Sequence, residues 1–372
     1  MFSIRGMALF AALGGVTAGA TVGAAPASAV VVTPQALVYA TPATYTYFPP
    51  RRSPVVADGF AGRPGHTQIA PRGTEPVVSP RGDTVAYLVD HGPDTTPTLW
   101  LATARGTKIV RRAIARTDDI QGFSPDGTRL AFVDRGRSER TNFRLRVHTP
   151  ATGRTRTVVA DPDFFLGTSF SPDGRRIAYV TERSTGYDED SRGALQVVPV
   201  TGGPPVRLTD ERTAKAPLWG PAGIAYLHPR LNQEDKEGVL STLDLIQGDG
   251  TGHRAIAAFP GTSALSDGFY PVAWSADGTR LLANAAANDE RNGDDSWDGW
   301  AIDVATGAAR DLTGKVDGVV ARAFSRDGLT VLAETGHGTF GLKHRHDVVT
   351  VPFAGGPLTM LVKNGGSPSW TR

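Results

Sequence analysis

The 372-residue sequence contains no cysteine. Without a thiol, the chain can form no disulfide and carry no lipid-modified cysteine, so its stability must come from the packed core. There is also no strong excess of one charge: 39 lysine and arginine residues stand against 37 aspartate and glutamate residues. This balance produces no general positive field, and we therefore expect no nucleic-acid partner.

A motif for nucleophilic catalysis is missing as well. The nearest approach to the G-x-S-x-G pattern is Gly261-Thr262-Ser263-Ala264-Leu265, which lacks the final glycine. Glycine (44) and proline (27) are instead plentiful, and this composition favours many turns over long helices.

The first 29 residues are unlike the rest of the chain. They have an early positive charge, an uncharged apolar run, and the small-residue ending Ala27-Ser28-Ala29. This pattern predicts a cleaved signal peptide at 1–29, with a mature domain at 30–372 that is secreted or held in the cell envelope without stable membrane insertion. The alternative is a retained membrane anchor.

One phrase recurs through the remaining chain at intervals of 45 to 55 residues, and a last fragment, SPSW, ends at Trp370. Its copies are VSPRGDTVAYLV (78–89), FSPDGTRLAFV (123–133), FSPDGRRIAYV (170–180), WGPAGIAYL (219–227), WSADGTRLLAN (274–284) and FSRDGLTVLAE (324–334). A repeat of this length is typical of propellers and arrays.

Each copy reads as a β-hairpin. Proline fixes φ, aspartate bonds backbone amides, glycine adopts a left-handed conformation, and an apolar strand follows. A second series of turn glycines keeps step with the first, at Gly106, Gly153, Gly203, Gly252, Gly307 and Gly356. Two series of turns at a nearly constant distance from each other indicate four strands in each repeat. A four-stranded repeat of this kind is a propeller blade.

The SPDG phrase with an aromatic residue before it, together with the strand endings Leu208-Thr209 and Leu312-Thr313, resembles the TolB-type, WD-repeat-like β-propeller repeat. The resemblance covers about residues 74–372. It implies an all-β propeller that binds other molecules, without identifying the partner.

Seven blades are predicted. Six lie within 74–362, and a composite blade from 36–58 and 365–372 closes the ring by pairing the chain ends. In that blade, ALVYAT (36–41) is assigned to the second strand, TYTYF (44–48) to the third and PVVADGF (54–60) to the fourth. The alternative is a six-bladed, TolB-like ring with loose ends.

Charge is unevenly distributed along the repeat. Segment 111–156 has eleven arginines against five acids, whereas three loops on the face of the second-to-third-strand connections are acidic. We expect this polarised face to dock a charged partner, although a charge run is often only a solvated surface. The predicted binding residues are Asp188, Glu189, Asp190, Glu234, Asp235, Asp289, Glu290, Asp294, Asp295 and Asp298.

Two patterns suggest metal ions. Asp294-x-Ser296-x-Asp298-Gly299 has the spacing of half a calcium loop, but its twelfth position is Ala305 instead of glutamate. His337, His344 and His346 offer a second ligand set, or else they are solvated loop residues. Calcium is therefore the candidate ion, and no other cofactor is predicted.

The sequence leaves two functions open. The first is an exported, monomeric, non-enzymatic propeller that binds a protein, peptide or cell-envelope glycan on a loop face or in the central channel. The second is a polysaccharide lyase or glycoside hydrolase that uses carboxylates at the channel mouth. The candidate acids for that chemistry are Asp118, Asp119, Asp163, Asp267 and Asp317.

Overall fold

The computed structural model describes residues 36–41, 44–45, 53–92, 95–117, 119–135, 143–161, 163–182, 193–210, 213–228, 241–258, 268–289, 294–313, 318–337 and 344–371. Within these ranges the secondary structure is almost wholly β, with one short 3-10 turn at Phe60–Gly62. None of the helical structure described there is long and apolar enough to cross a bilayer.

The strands of the first half are β1 (Leu37–Ala40), β2 (Thr44–Tyr45), β3 (Val55–Asp58), β4 (His66–Ala70), β5 (Thr74–Val78), β6 (Thr84–Val89), β7 (Thr98–Arg105), β8 (Lys108–Arg116), β9 (Asp119–Phe123), β10 (Leu130–Arg135), β11 (Phe143–Thr149), β12 (Arg154–Asp161), β13 (Phe164–Phe170), β14 (Arg176–Glu182), β15 (Ala194–Pro199) and β16 (Val206–Arg207). Those of the second half are β17 (Lys215–Gly220), β18 (Gly223–His228), β19 (Thr242–Ile246), β20 (Arg254–Ala258), β21 (Tyr270–Trp274), β22 (Arg280–Asp289), β23 (Asp294–Asp303), β24 (Ala309–Asp311), β25 (Val319–Phe324), β26 (Thr330–His337), β27 (His344–Pro352), β28 (Thr359–Val362) and β29 (Gly366–Trp370).

These strands form seven antiparallel sheets, one for each blade. From the inner to the outer strand, blade 1 is β5 to β8, blade 2 is β9 to β12, blade 3 is β13 to β16, blade 4 is β17 to β20, blade 5 is β21 to β24 and blade 6 is β25 to β28. The protein is a seven-bladed β-propeller, as the repeat predicts.

Blade 7 joins the two ends of the chain, in the order β29, β1, β3 and β4. Leu37 lies opposite Trp370 and Val38 opposite Ser369. The predicted closure by pairing of terminal strands is thus present, and the six-bladed alternative is wrong.

Two strands of blade 7 differ from the predicted assignment. Within 44–48, the described strand β2 pairs with β27 at the outer edge of blade 6 and is not the third strand of blade 7. The third strand is β3, which was predicted to be the fourth, and the fourth is β4, beyond the predicted limit at residue 58. Burial explains this order: Val55, Val56 and Ala57 are buried and suit an interior strand, whereas His66 and Gln68 are exposed and suit an edge.

The Ser-x-Asp-Gly turns have the hydrogen bonds that their residue types predict. In blade 5, Ser275 Oγ donates to Asp277 Oδ1 (2.6 Å) and accepts from the Arg280 N–H (2.9 Å). Equivalent bonds recur at Ser124, Ser171 and Ser325. The hydrogen bond from Ser275, with those from Thr279, lowers the pKa of Asp277 to about 2.

Apolar residues of the second and third strands pack between neighbouring blades. The aromatic residue of the second strand is at most 2% exposed in blades 1 to 4, at Tyr87, Phe132, Tyr179 and Tyr226. Burying a side chain of this size contributes roughly 2–3 kcal/mol before entropy is counted. The core is therefore a ring of similar contacts between blades.

The irregular turn of blade 4 has a packing cause. A Cβ built on Gly220 would lie 2.2 Å from the indole ring of Trp274 in blade 5. The same indole donates through Nε1 to the carbonyl oxygen of Leu218 (3.1 Å). Gly220 thus stands where the other turns have serine, because the indole ring of Trp274 occupies the space that a side chain would need.

Candidate functional site in the central channel

The inner strands of all seven blades surround a cavity of about 780 Å³ on the propeller axis. About half of its wall is apolar, with Phe123, Phe170, Trp219 and Trp370 among the lining residues. The charged residues of the lining are Glu75 and Arg322, and both are exposed. A concave cavity in which polar groups converge beside apolar walls is a candidate ligand site.

Several of the residues that line the channel, including both charged ones, lie at β-bulges. Each inner strand has an irregularity in its register against the second strand. The skipped positions that line the cavity include Glu75, Gln121, Val272, Arg322 and Ser367. Because a bulge turns a side chain out of the regular alternation, it can direct these residues to the axis.

Three of these bulges contain a non-glycine residue in a backbone conformation that side chains rarely adopt. Glu75 and Ser367 both have φ of +50°, and Ala216 in the bulge of β17 has φ of +47°. Non-glycine residues in the left-handed region carry a conformational cost of the order of 1 kcal/mol. Such strain is typical of backbone that positions functional groups.

A buried carboxylate holds Arg322 in the channel wall. Glu334, on β26 and 3% exposed, accepts from Arg322 Nη2 at Oε2 (2.8 Å). The same oxygen accepts the N–H of Ser367 (3.0 Å), and Oε1 lies 2.9 Å from His346 Nδ1. Glu334 therefore links the bulge of blade 6 to the bulge of blade 7.

A second contact fixes the backbone beside Arg322. The side-chain amide of Asn284, in blade 5, donates to the Ala321 carbonyl oxygen (3.1 Å) and accepts the Ala321 N–H (2.9 Å). Arg322 is thus oriented by its own carboxylate partner and by the neighbouring blade. A preorganised cation loses little freedom when it binds an anionic group.

The surroundings of Glu334 make the stability of the fold depend on pH. Burial by itself raises the pKa of this carboxyl, but the hydrogen bond from His346 and the charge of Arg322 outweigh burial and lower the pKa below its ordinary value of 4.5. A carboxyl with a lowered folded-state pKa stabilises the fold fully above 4.5 and loses that contribution as pH falls through the lowered value.

We therefore expect the free energy of unfolding of the wild type to fall on acidification below pH 4.5, and the Glu334→Gln variant to show a smaller fall. Urea unfolding midpoints measured from neutral pH to about pH 3 check this. Glu182, partly exposed at the end of β14, supplies the matched control Glu182→Gln. Equal acid sensitivity in the wild type and in Glu334→Gln would contradict the expected role of Glu334.

Most of the predicted acidic binding residues are not tested by the structure. Asp188, Glu189, Asp190, Glu234, Asp235 and Glu290 lie outside the described residues. Asp289 ends β22, and Asp294 and Asp295 begin β23. Asp298 is 7% exposed, and its Oδ1 accepts the Gly318 N–H (2.9 Å).

The proposed half calcium loop lies within a strand. Asp294, Ser296 and Asp298 belong to β23, paired residue by residue with β22 from Asp289 opposite Asp294 to Ala285 opposite Asp298. Alternate residues of a strand are about 6.5 Å apart along its axis, whereas a calcium loop wraps around one point. Calcium binding at this segment stays a prediction.

His346, Asp119 and Asp163, which the structure describes, are not among the residues that line the channel. Among the three histidines, His346 contacts Glu334, while His337 and His344 lie on the paired strands β26 and β27. Asp119 begins β9, and Asp163 immediately precedes β13. Asp118, Asp267 and Asp317 lie outside the described residues.

Several arginines of the basic segment 111–156 bind within the propeller. Arg111 Nε donates to the Ile69 carbonyl oxygen (2.6 Å), Arg129 Nη1 to that of Gly174 (3.2 Å) and Arg156 Nη1 to that of Thr201 (2.5 Å). These bonds join neighbouring blades. Part of the arginine content that suggested a docking face thus takes part in hydrogen bonds between blades.

Sequence reasoning missed Arg322 and Glu334. The available signal was a charged residue in each of two strands that otherwise read as buried, Arg322 in VVARAF and Glu334 in VLAE. A buried charge needs a partner, so the two should have been considered together. Their distance of 12 residues in sequence corresponds to no known motif.

No protein-family model matches the sequence, and the search of curated proteins gives no match. Solved structures do resemble it. An oligogalacturonate lyase in complex with manganese is 14% identical over 88% of this chain and 85% of that one, with a TM-score of 0.55. The β-propeller domain of the trilobed protease from Pyrococcus furiosus is 15% identical over 78% of this chain and 83% of that one, also with a TM-score of 0.55.

What these proteins share with the chain is the propeller fold. TolB from Acinetobacter baumannii is also among the similar structures, at 16% identity over 78% of this chain and 67% of that one, with a TM-score of 0.49. The trilobed protease domain, a β-propeller with a TM-score of 0.55, supports the propeller fold that the repeat predicts. At these identities the likeness concerns architecture, and function has to be argued from the channel itself.

Proposed function

We propose that this protein is an exported, non-catalytic binding propeller whose central channel holds a ligand through a carboxylate group. The observation that carries the proposal is Arg322, which is placed in the channel wall by a bulge and held there by the buried Glu334. Export rests on the predicted signal peptide at 1–29 alone.

The free donors of Arg322 support an anionic ligand. Its Nη2 contacts Glu334, and within the described part of the chain its Nε and Nη1 have no hydrogen-bond partner. A guanidinium group matches a carboxylate with two parallel hydrogen bonds. The arginine side chain is 41% exposed, so a ligand in the channel can reach it.

The apolar part of the channel favours a ligand with a flat or apolar face next to its carboxylate. Phe123, Trp219 and Trp370 line the same cavity as Arg322. Aromatic faces pack well against sugar rings and apolar side chains. Uronate oligomers and peptide C-termini both have this chemistry, and the experiment separates them.

Titration of the intact mature chain, followed by calorimetry and by the fluorescence of the lining tryptophans, tests the proposal. One arm uses galacturonate oligomers and their methyl esters, and the other uses short peptides with free or amidated C-termini. We expect one carboxylate series to bind at least tenfold more tightly than its neutral counterpart, because a charge-assisted hydrogen bond is worth about 1.5–3 kcal/mol.

Arg322→Ala is expected to weaken that binding about 10- to 100-fold, and Arg322→Lys to have an intermediate effect because ammonium lacks the planar fork. Arg326→Ala is the matched control, since Arg326 is an exposed arginine of the same blade outside the cavity lining. Unchanged affinity in a folded Arg322→Ala variant, or equal binding of neutral ligands, refutes the proposal.

The same samples decide between binding and catalysis. If the chain is a lyase or hydrolase, galacturonate oligomers shorten during the incubation and new chain ends accumulate. If it is a binding module, the oligomers are recovered intact. Turnover would replace the binding proposal with the enzymatic alternative.

A further inference from the structure

Blade 4 has a buried aspartate in an otherwise apolar strand. Asp244, on β19, is completely inaccessible to solvent between Leu243 and Leu245. Its Oδ2 lies 2.7 Å from His228 Nδ1 and 2.8 Å from His253 Nε2, and its Oδ1 accepts from Thr242 Oγ1 (2.6 Å). Two imidazoles thus converge on one carboxylate oxygen, His228 from the end of β18 and His253 from the residue before β20.

The three ligand atoms are close enough to hold one ion. They all lie within 4.8 Å of one another, and no other group of three such residues was found in the described part of the chain. Zinc at about 2.1 Å from each ligand holds its ligand atoms roughly 3.4 Å apart. To admit the ion, the nitrogen to oxygen distances of 2.7 and 2.8 Å need to open by about 0.6–0.7 Å.

We propose that His228, Asp244 and His253 form a binding site for a divalent transition-metal ion, with zinc as the preferred ion. Imidazole nitrogen and carboxylate oxygen are the ligand types that suit zinc. The hydrogen bond from Thr242 orients the carboxylate, as outer partners of metal ligands commonly do.

The ring of Tyr226 supports the two imidazoles. It is 1% exposed, and its centroid lies 6.2 Å from that of His228 and 6.3 Å from that of His253, with planes inclined by 29° and 22°. The imidazoles are therefore held against a buried aromatic residue, which limits their rotation and keeps the ligand nitrogens directed at Asp244.

A fourth coordination position faces solvent. Both histidines line a cavity of about 390 Å³ between blades 3 and 4, whereas Asp244 closes the site from within. Asp210, Thr209 and Thr213 of the connection between these blades line the same cavity, as does Arg207. Three protein ligands with one open position give a site in which water or an anionic group completes the coordination.

Calorimetric titration of the chelator-treated, full-length protein with zinc chloride tests the site, with cobalt(II) absorption as the spectroscopic probe. We expect binding that depends on His253, with a cobalt spectrum of tetrahedral type. His253→Ala is expected to lower zinc affinity at least tenfold and to remove that spectrum. His253 is the best first variant because its side chain is 47% exposed, so the fold should tolerate the change.

His91→Ala serves as the control, because His91 is an exposed histidine of blade 1 outside the cluster. His228→Ala is expected to reproduce the loss seen with His253→Ala. If a folded His253→Ala variant binds zinc as tightly as the wild type, or if the wild type binds no zinc, the cluster is only a hydrogen-bonded triad and the proposal is wrong. Neither result bears on ligand binding in the central channel.

Discussion

A chain that stops at Gly365 is expected to lose cooperative folding. The truncation removes β29, the inner strand of blade 7, and leaves β1 with an open edge facing the channel. It also removes bonds to both neighbouring blades: the Val78 N–H donates to Ser369 Oγ (3.1 Å), and Trp370 Nε1 donates to the Phe324 carbonyl oxygen (2.7 Å). With a typical domain stability of about 5–15 kcal/mol and no disulfide, the open ring is expected to unfold.

Thermal unfolding followed by circular dichroism measures this effect. The control chain lacks Arg372 alone and is expected to melt like the full-length protein. A synthetic peptide with the sequence of 366–372, added to the truncated chain, is expected to restore part of the transition by supplying the missing strand. If the truncated chain melts cooperatively at the wild-type temperature, the closing blade is not what holds the ring together.

Asp134→Ala is expected to have the largest effect of any single substitution considered for the fold, a loss of about 3 kcal/mol of unfolding free energy. The Asp134 side chain is 5% exposed and accepts from Arg144 Nε and Arg146 Nη1, each at 2.7 Å. Its removal leaves two adjacent guanidinium groups without their shared carboxylate. Arg144 is 41% exposed and stays hydrated after the substitution. The loss of unfolding free energy should therefore lie near the lower end of the range for breaking a buried ion pair.

The environment of Arg146 adds to this cost. Its Nε is buried and has no hydrogen-bond partner among the described residues, and its guanidinium carbon lies 5.9 Å from the centroid of the Phe132 ring. Denaturant unfolding of Asp134→Ala and of Asp126→Ala gives the comparison, since Asp126 is an exposed acid in the first turn of the same blade. We expect about 1 kcal/mol for the turn variant. Equal losses in the two variants would mean that Asp134 contributes no more than a turn residue.

The blades were predictable because their turns are local. In the phrase FSPDGTRLAFV, Ser124, Asp126 and Thr128 bond one another within five residues, so the sequence pattern and the contact coincide. The composite blade was predictable for a related reason: SPSW at the end of the chain repeats an inner strand that has no hairpin partner after it. The order of the strands that complete the blade was predicted wrongly, because β2, β3 and β4 are all short and their pairing depends on burial against other blades.

The candidate sites were much harder to predict. Arg322 and Glu334 lie on the paired strands β25 and β26, and Ser367 on β29 bonds to Glu334 across 33 residues of sequence. His253 reaches Asp244 from the residue before β20. None of these sets follows a fixed spacing, because each depends on which strands become neighbours. The acidic loops were predicted as binding residues because a run of charges can be read directly from the sequence. A single charged residue in an apolar strand stands out only once that strand is known to be buried.

The sequence by itself determined the period of the blades and the turn chemistry, since a repeat of hydrogen-bonded turns and apolar strands can bury its faces only by stacking copies. It predicted seven blades with six as the alternative, and the pairing of β29 with β1 decided between them. The tertiary structure alone decided where functional groups meet. Bulges in the inner strands direct Glu75, Gln121 and Arg322 into the channel, and strand pairing in blade 4 places two histidines on one carboxylate. These are contacts between residues distant in sequence, and only the folded backbone brings them within reach.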